Sequence, residues 1–240
     1  MILILIKISR HRTASAGNRL SNDGVSNGIV IQPTENAALV AAFTLHSLPA
    51  LAENAQPAES AAALKTAAGV TQNALGDGLY EMALFSGEKS LFVASAQSFK
   101  DVNGGVIYRV DPTSLAVTGT THTDLKNFGM AVDSDGKTFY VTNSLDGGVS
   151  KVDAKSGKVL QRLMLDGKDK DGDPAGAREV LFHDGLLFIG RVAEPGYISV
   201  VDAKTMTVKA RIDNAGKWVT GIIYSPVTKR IYATNGAGEV

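Results

Sequence analysis

Cysteine is absent from this chain of 240 residues, which excludes disulfide staples and thiolate chemistry outright. No sign of charge prevails: 24 basic residues face 24 acidic ones. Four of the basic and two of the acidic residues lie in the first 52 positions, leaving 20 and 22 beyond them. A chain so balanced has no global electrostatic drive towards nucleic acid, although a local basic rim is not excluded. Long apolar runs are missing too. MILILIKI at positions 1–8 is too short to span a bilayer, and no segment qualifies as a retained transmembrane helix. Positions 77–240 carry no long amphipathic helical pattern, and no P-loop, nucleophile elbow or GxGxxG followed by a helix occurs.

What is present is a phrase that returns: FVAS at 92–95, YVTN at 140–143, FIGR at 188–191 and YATN at 232–235, with starts 48, 48 and 44 residues apart. After each of the first three follows a short strand-like run ending in a D-x-x-[TS] turn at Asp111, Asp153 and Asp202. Self-similarity at this period outranks local signals in deciding a fold. In the clearest unit, FGMAVD stops at a Ser134-Asp135-Gly136-Lys137 hairpin, and KTFYVTN reads as a strand. Asp146-Gly147-Gly148 then turns the chain into VSKVD, and Ala154-Lys155-Ser156-Gly157 turns it into KVLQRLML. Four antiparallel strands result. One such sheet cannot cover both its faces, so the units are expected to stack as blades of an all-β propeller. The first unit runs from about Leu79 to Thr121 and the third from about Glu179 to Ile212. The fourth begins at Val219, so about three and a half blades are expected.

The order of segments resembles the YncE family of bacterial periplasmic propellers, with YVTN-type repeats. The likeness is carried by GLYEMA at 78–83, GGVIYRVDP at 104–112, DLKNFG at 124–129, AREV at 177–180 and YATN at 232–235, and it covers about 64–240. It implies a ring of seven blades closed by an N-terminal latch strand. The stretch ALKTAAGV at 63–70 is the candidate latch. On that resemblance the chain is expected to be a C-terminally truncated fragment; the alternative is a half-propeller that dimerises.

The remainder divides into a leader at 1–52, a linker with the candidate latch at 53–76, and the partial propeller at 77–240. AALVAAFTL at 37–45, followed by LPALA at 48–52, suits a secretory signal peptide cleaved before Glu53. Glu35 and the distance of Arg10, Arg12 and Arg19 weaken that pattern, and an alanine-rich arm is the alternative. With the resemblance, the expected location is periplasmic or secreted.

Chemistry-bearing signals are few. Of four histidines, His11 and His46 fall in the leader, His122 is expected in the loop after an outer strand, and His183 at a hairpin. No pair has metal-ligand spacing. Asp169, Asp171 and Asp173 alternate as in a calcium loop, yet Pro174 stands where the sharp-turn glycine belongs and Val180 where the bidentate glutamate belongs. A solvated loop is the better reading, and neither metal nor cofactor is expected. Corresponding positions at the start of each innermost strand gather Glu81, Lys126, Arg178, Glu179 and Trp218, with Tyr80 and Phe128 beside them. They form a candidate binding rim around the channel, where Arg178 could clamp an anion and Trp218 stack on a flat ligand. The alternative is packing, with Glu81 and Arg178 paired between blades. A non-enzymatic binding or scaffold module for an unknown small molecule or protein is favoured. The rivals are an enzyme of quinoprotein-dehydrogenase or lactonase type, and a nucleic-acid-binding propeller with Trp218 stacking.

Overall fold

Each YVTN-like phrase becomes the second strand of an antiparallel sheet, and in the first three sheets that strand is largely buried. The computed structural model describes residues 2–6, 70–85, 89–98 and 102–238, all within one compact unit. The first sheet orders β3 (Leu79–Phe85), β4 (Ser90–Ser95), β5 (Gly105–Val110) and β6 (Val117–Thr123). The second orders β7 (Met130–Val132), β8 (Thr138–Asn143), β9 (Gly148–Asp153) and β10 (Val159–Met164), with a 3-10 turn at Ser144–Asp146. The third orders β11 (Gly176–His183), β12 (Leu186–Val192), β13 (Tyr197–Asp202) and β14 (Thr207–Ile212), and β15 (Val219–Ser225) pairs with β16 (Arg230–Asn235) as a hairpin. These are the expected β-propeller blades, three whole and one of two strands. Among the described residues no helix is long and apolar enough to cross a membrane.

Strand β8 shows why the phrase is so apolar. Phe139 and Val141 point into a core shared with the first sheet, alongside Phe85, Phe92, Ile107 and Met130. Tyr140, between them, points the other way, into the core with Val180, Leu187, Ile189 and Val201 of the third sheet. A period of two feeds two interfaces, so every residue of the strand is buried. The Phe92 and Phe139 rings meet at 5.0 Å across the first interface. The Tyr140 hydroxyl donates to Asp133 Oδ2 of its own blade at 2.5 Å and, across the second interface, lies 3.2 Å from the Ala203 carbonyl.

The last letter of the phrase has a separate task. Ser95 donates to the Asp77 carbonyl, Asn143 to that of Lys126, Arg191 to that of Ala175 and Asn235 to that of Ala215. Each bond ties the second strand to the loop leading into the first strand of its own blade. The recurring aspartates are structural as well. Asp111 accepts from the Thr113 and Ser114 amides, Asp153 from the Ser156 amide, and Asp202 from the Lys204 and Thr205 amides. Those bonds close the outer hairpins and hold the three carboxyls below their ordinary range.

Three features differ from the sequence reading. His122 lies within β6 opposite Val106, not in the loop beyond it, because the outer strand runs longer than its threonine-rich sequence signals. Ile2–Ile6, inside the stretch read as leader, forms strand β1 and pairs antiparallel with β2 (Val70–Ala74). Val70, read as the end of the latch, begins that second strand, whose Asn73 donates to the Leu115 carbonyl of the first sheet at 2.8 Å. The rest of the leader, the proposed cleavage site, the linker and the remainder of the latch stretch lie outside the described residues.

Candidate functional site

The innermost strands β3, β7, β11 and β15 follow one another side by side. Each is irregular at the same place. Pairing slips between Leu79 and Met82, between Ala177 and Val180, and between Val219 and Gly221. In the second blade Phe128 and Gly129 together face Thr142. Each bulge sets two residues opposite one and re-aims them out of the ladder. The re-aimed pairs are Tyr80-Glu81, Phe128-Gly129, Arg178-Glu179 and Thr220-Gly221. Their side chains and backbone line a cavity of about 260 Å³, with Gly221 alone set outside it.

In the second position of these pairs, glutamate and glycine alternate. Gly129 brings no side chain between the first and third blades, and a Cβ there would run into the Arg178 carbonyl oxygen. Glu81 and Glu179 therefore reach each other across the second blade, and their carboxyl groups share a hydrogen bond. Glu81 Oε2 also accepts from the Met130 amide at 2.7 Å. Burial raises both carboxyls. Glu179 has no amide donor of this kind, lies beside the Glu81 charge, and is pushed up to about 8, opposed only by Arg178. The raised pair thus favours sharing one proton over full ionisation near neutral pH.

Arg178 does not pair with Glu81. Its guanidinium carbon lies 4.3 Å from the Tyr80 ring centroid and 5.4 Å from that of Phe128. Those two rings are themselves 4.5 Å apart. Among the described residues no side chain or carbonyl accepts from this guanidinium, and Arg178 lines the cavity. The Arg178 backbone is fixed from the second blade: Thr142 Oγ1 donates to its carbonyl at 2.7 Å and accepts from the Gly129 amide at 2.8 Å.

Lys126 and Trp218 stand apart from this cluster. The Lys126 ammonium donates to the carbonyls of Ala96, Ser98 and Val102 at 2.7–2.9 Å, folding a first-blade loop around itself. Trp218 adopts a positive φ of 56° and is 43% exposed. Lys217 lies 4.6 Å over its ring while pairing with Glu194 at 3.0 Å. The Asp169 loop uses one carboxylate as a turn acceptor for the Asp171 and Asp173 amides. Among the described residues no three histidines or carboxylates converge, so the channel contributes two carboxyl groups that already engage each other.

Blades of four antiparallel strands, stacked with their first strands around a shared cavity, define a β-propeller protein. Residues 7–236 match the family described as "SMP-30/Gluconolactonase/LRE-like region". The chain belongs to that family. It is also 37% identical over 173 residues to the "Uncharacterized protein YncE" of Escherichia coli O157:H7, a match covering 70% of this chain and 49% of that one. Identity to the protein of the same description in Salmonella typhi is 37% over 172 residues, with the same coverage of each chain. The YncE-like resemblance read from the repeats is thereby shown, and the chain spans about half the length of the curated relatives it matches, at 49%.

Proposed function

We propose that this chain is a non-enzymatic binding or scaffold module that engages a ligand or protein partner at the channel cavity. One observation carries the reading: Arg178, whose guanidinium has no acceptor among the described residues, lines one cavity with the half-buried Glu81–Glu179 pair. The module acts in the periplasm or outside the cell. Amide spectra of the full chain titrated with a fragment library test the site. Shifts are expected to cluster at Tyr80, Gly129, Glu179 and Thr220, and shifts scattered over outer strands would sink the reading. N-terminal sequencing of the protein from fractionated native cells tests export: a start near Glu53 in the periplasmic fraction is expected, and recovery in the cytoplasmic fraction alone counts against it.

A second reading rests on a specific observation. A carboxyl pushed up to about 8, hydrogen-bonded to a second carboxyl, is suited to general acid–base work near neutral pH. The family description includes gluconolactonase, so lactone hydrolysis is the reaction to assay. Turnover that disappears in Glu179→Gln would favour the enzyme over the binding module.

A further inference from the structure

The charge of the cavity restricts what it can receive. Arg178 contributes one positive charge, and the carboxyl pair, sharing one proton, contributes one negative charge. The guanidinium carbon sits over the Tyr80 and Phe128 rings, and among the described residues its forked N–H groups have no acceptor, which leaves them for one from outside the protein. That fork matches a carboxylate in two parallel hydrogen bonds. A cationic ligand would have to approach the same guanidinium, and that repulsion disfavours it. A dianion would leave the low-dielectric cavity with two excess negative charges, a monoanion with one.

We propose that the cavity takes a small monoanionic carboxylate, gripped by the edge of Arg178 and flanked by the Glu81–Glu179 pair and the Thr220 hydroxyl. This identification rests on the channel cavity being the ligand site and adds the chemical class of the occupant. Four elements surround Glu179. β3 presents Glu81 and Tyr80, β11 presents Arg178, and the second blade presents Phe128, Gly129 and Met130. From the hairpin, Thr220, Gly221 and Tyr232 face it. Of these, Glu81 and Arg178 are the charged groups that set its ionisation. When Glu179 ionises, the cavity becomes net negative and repels an anion. Carboxylate affinity is therefore expected to hold below about pH 8 and to fall by up to about tenfold per pH unit above it.

The probes are benzoate, with benzamide as its uncharged match and terephthalate as its dianionic match, titrated into the full chain by calorimetry and amide shifts. Benzoate is expected to bind, to move the Gly129 and Thr220 amides, and to bind at least about tenfold more weakly to Arg178→Gln. The decline with pH should flatten in Glu179→Gln. Both substitutions keep the Arg178 carbonyl that accepts from Thr142, and unchanged outer-strand amides would verify their folding. Benzamide binding as well as benzoate, or Arg178→Gln binding as well as wild type, overturns the carboxylate while leaving the cavity as a ligand site. Tighter binding of terephthalate overturns the single charge. Should no probe move an amide lining the cavity, both the carboxylate and the channel site fall. If Arg178→Gln does not fold, benzamide discrimination and the pH profile of the wild type still decide.

Discussion

Replacing Thr142 by valine removes one hydroxyl and keeps the shape of the side chain, so no cavity is created. That hydroxyl is wholly buried and serves two blades: it accepts from the Gly129 amide at 2.8 Å and donates to the Arg178 carbonyl at 2.7 Å. Valine orphans both groups. A buried group left without its partner costs about 1–3 kcal/mol, so the pair predicts a loss of about 2–6 kcal/mol. At an m-value of roughly 2 kcal/mol/M this lowers the urea midpoint by about 1–3 M. Serine is the control, because it retains the hydroxyl and loses one buried methyl, at about 1 kcal/mol. Unfolding of wild type, Thr142→Val and Thr142→Ser should be followed in parallel by intrinsic fluorescence and circular dichroism. A valine variant within about 0.5 kcal/mol of wild type, or less damaged than the serine variant, would refute the argument that this hydroxyl joins the blades.

Other expectations follow from the same contacts. Glu179 is raised in the folded chain from 4.5 to about 8, so its contribution to stability is complete below about pH 4.5 and is lost as pH rises through about 8. Urea midpoints at about pH 5 and about pH 9 should differ less in Glu179→Gln than in wild type, and an unchanged difference would contradict the shared proton. Gly129→Ala should lower the midpoint far more than Gly136→Ala. The first drives a Cβ into the Arg178 carbonyl, whereas the second, at φ 65°, meets nothing within 4 Å and should cost about 1 kcal/mol in backbone strain. Phe139→Ala empties a wholly buried site against Phe92 and should cost about 3–5 kcal/mol. Val227→Ala, at a position 90% exposed, should stay within about 0.5 kcal/mol; comparable losses at both positions would undo the assignment of the core.

The blades were legible because the physics of each strand is local. YVTN is apolar at successive positions since two interfaces claim alternate side chains, and Asp153-Ala154-Lys155-Ser156 closes its turn through contacts two to three residues away. The site was legible only as a set of positions. Glu81 and Arg178 read from the sequence as natural partners by charge, yet Glu81 faces Glu179, a contact between blades one and three. Aligning LYEMA, NFGMA, AREVL and VTGII shows a glutamate–glycine alternation that hints at this clearance. Lys126 reads as a rim cation, but its ammonium is satisfied by carbonyls about 24–30 residues upstream, a loop closure that no motif encodes. Trp218 reads as a stacking platform. Its left-handed backbone and the lysine over its ring depend on how the hairpin meets the third blade.

The carboxyl pair is also a gauge of assembly. Glu81 and Glu179 sit on strands separated by about a hundred residues and come together only when three sheets are docked in register. If the third blade slides or lifts from the second, the two acids part and each ionises at its ordinary pH. Docking thus takes up close to one proton at neutral pH, and acid favours the docked arrangement over the separated one. A titration followed at this single residue would report the closure of an interface formed by half a dozen strands.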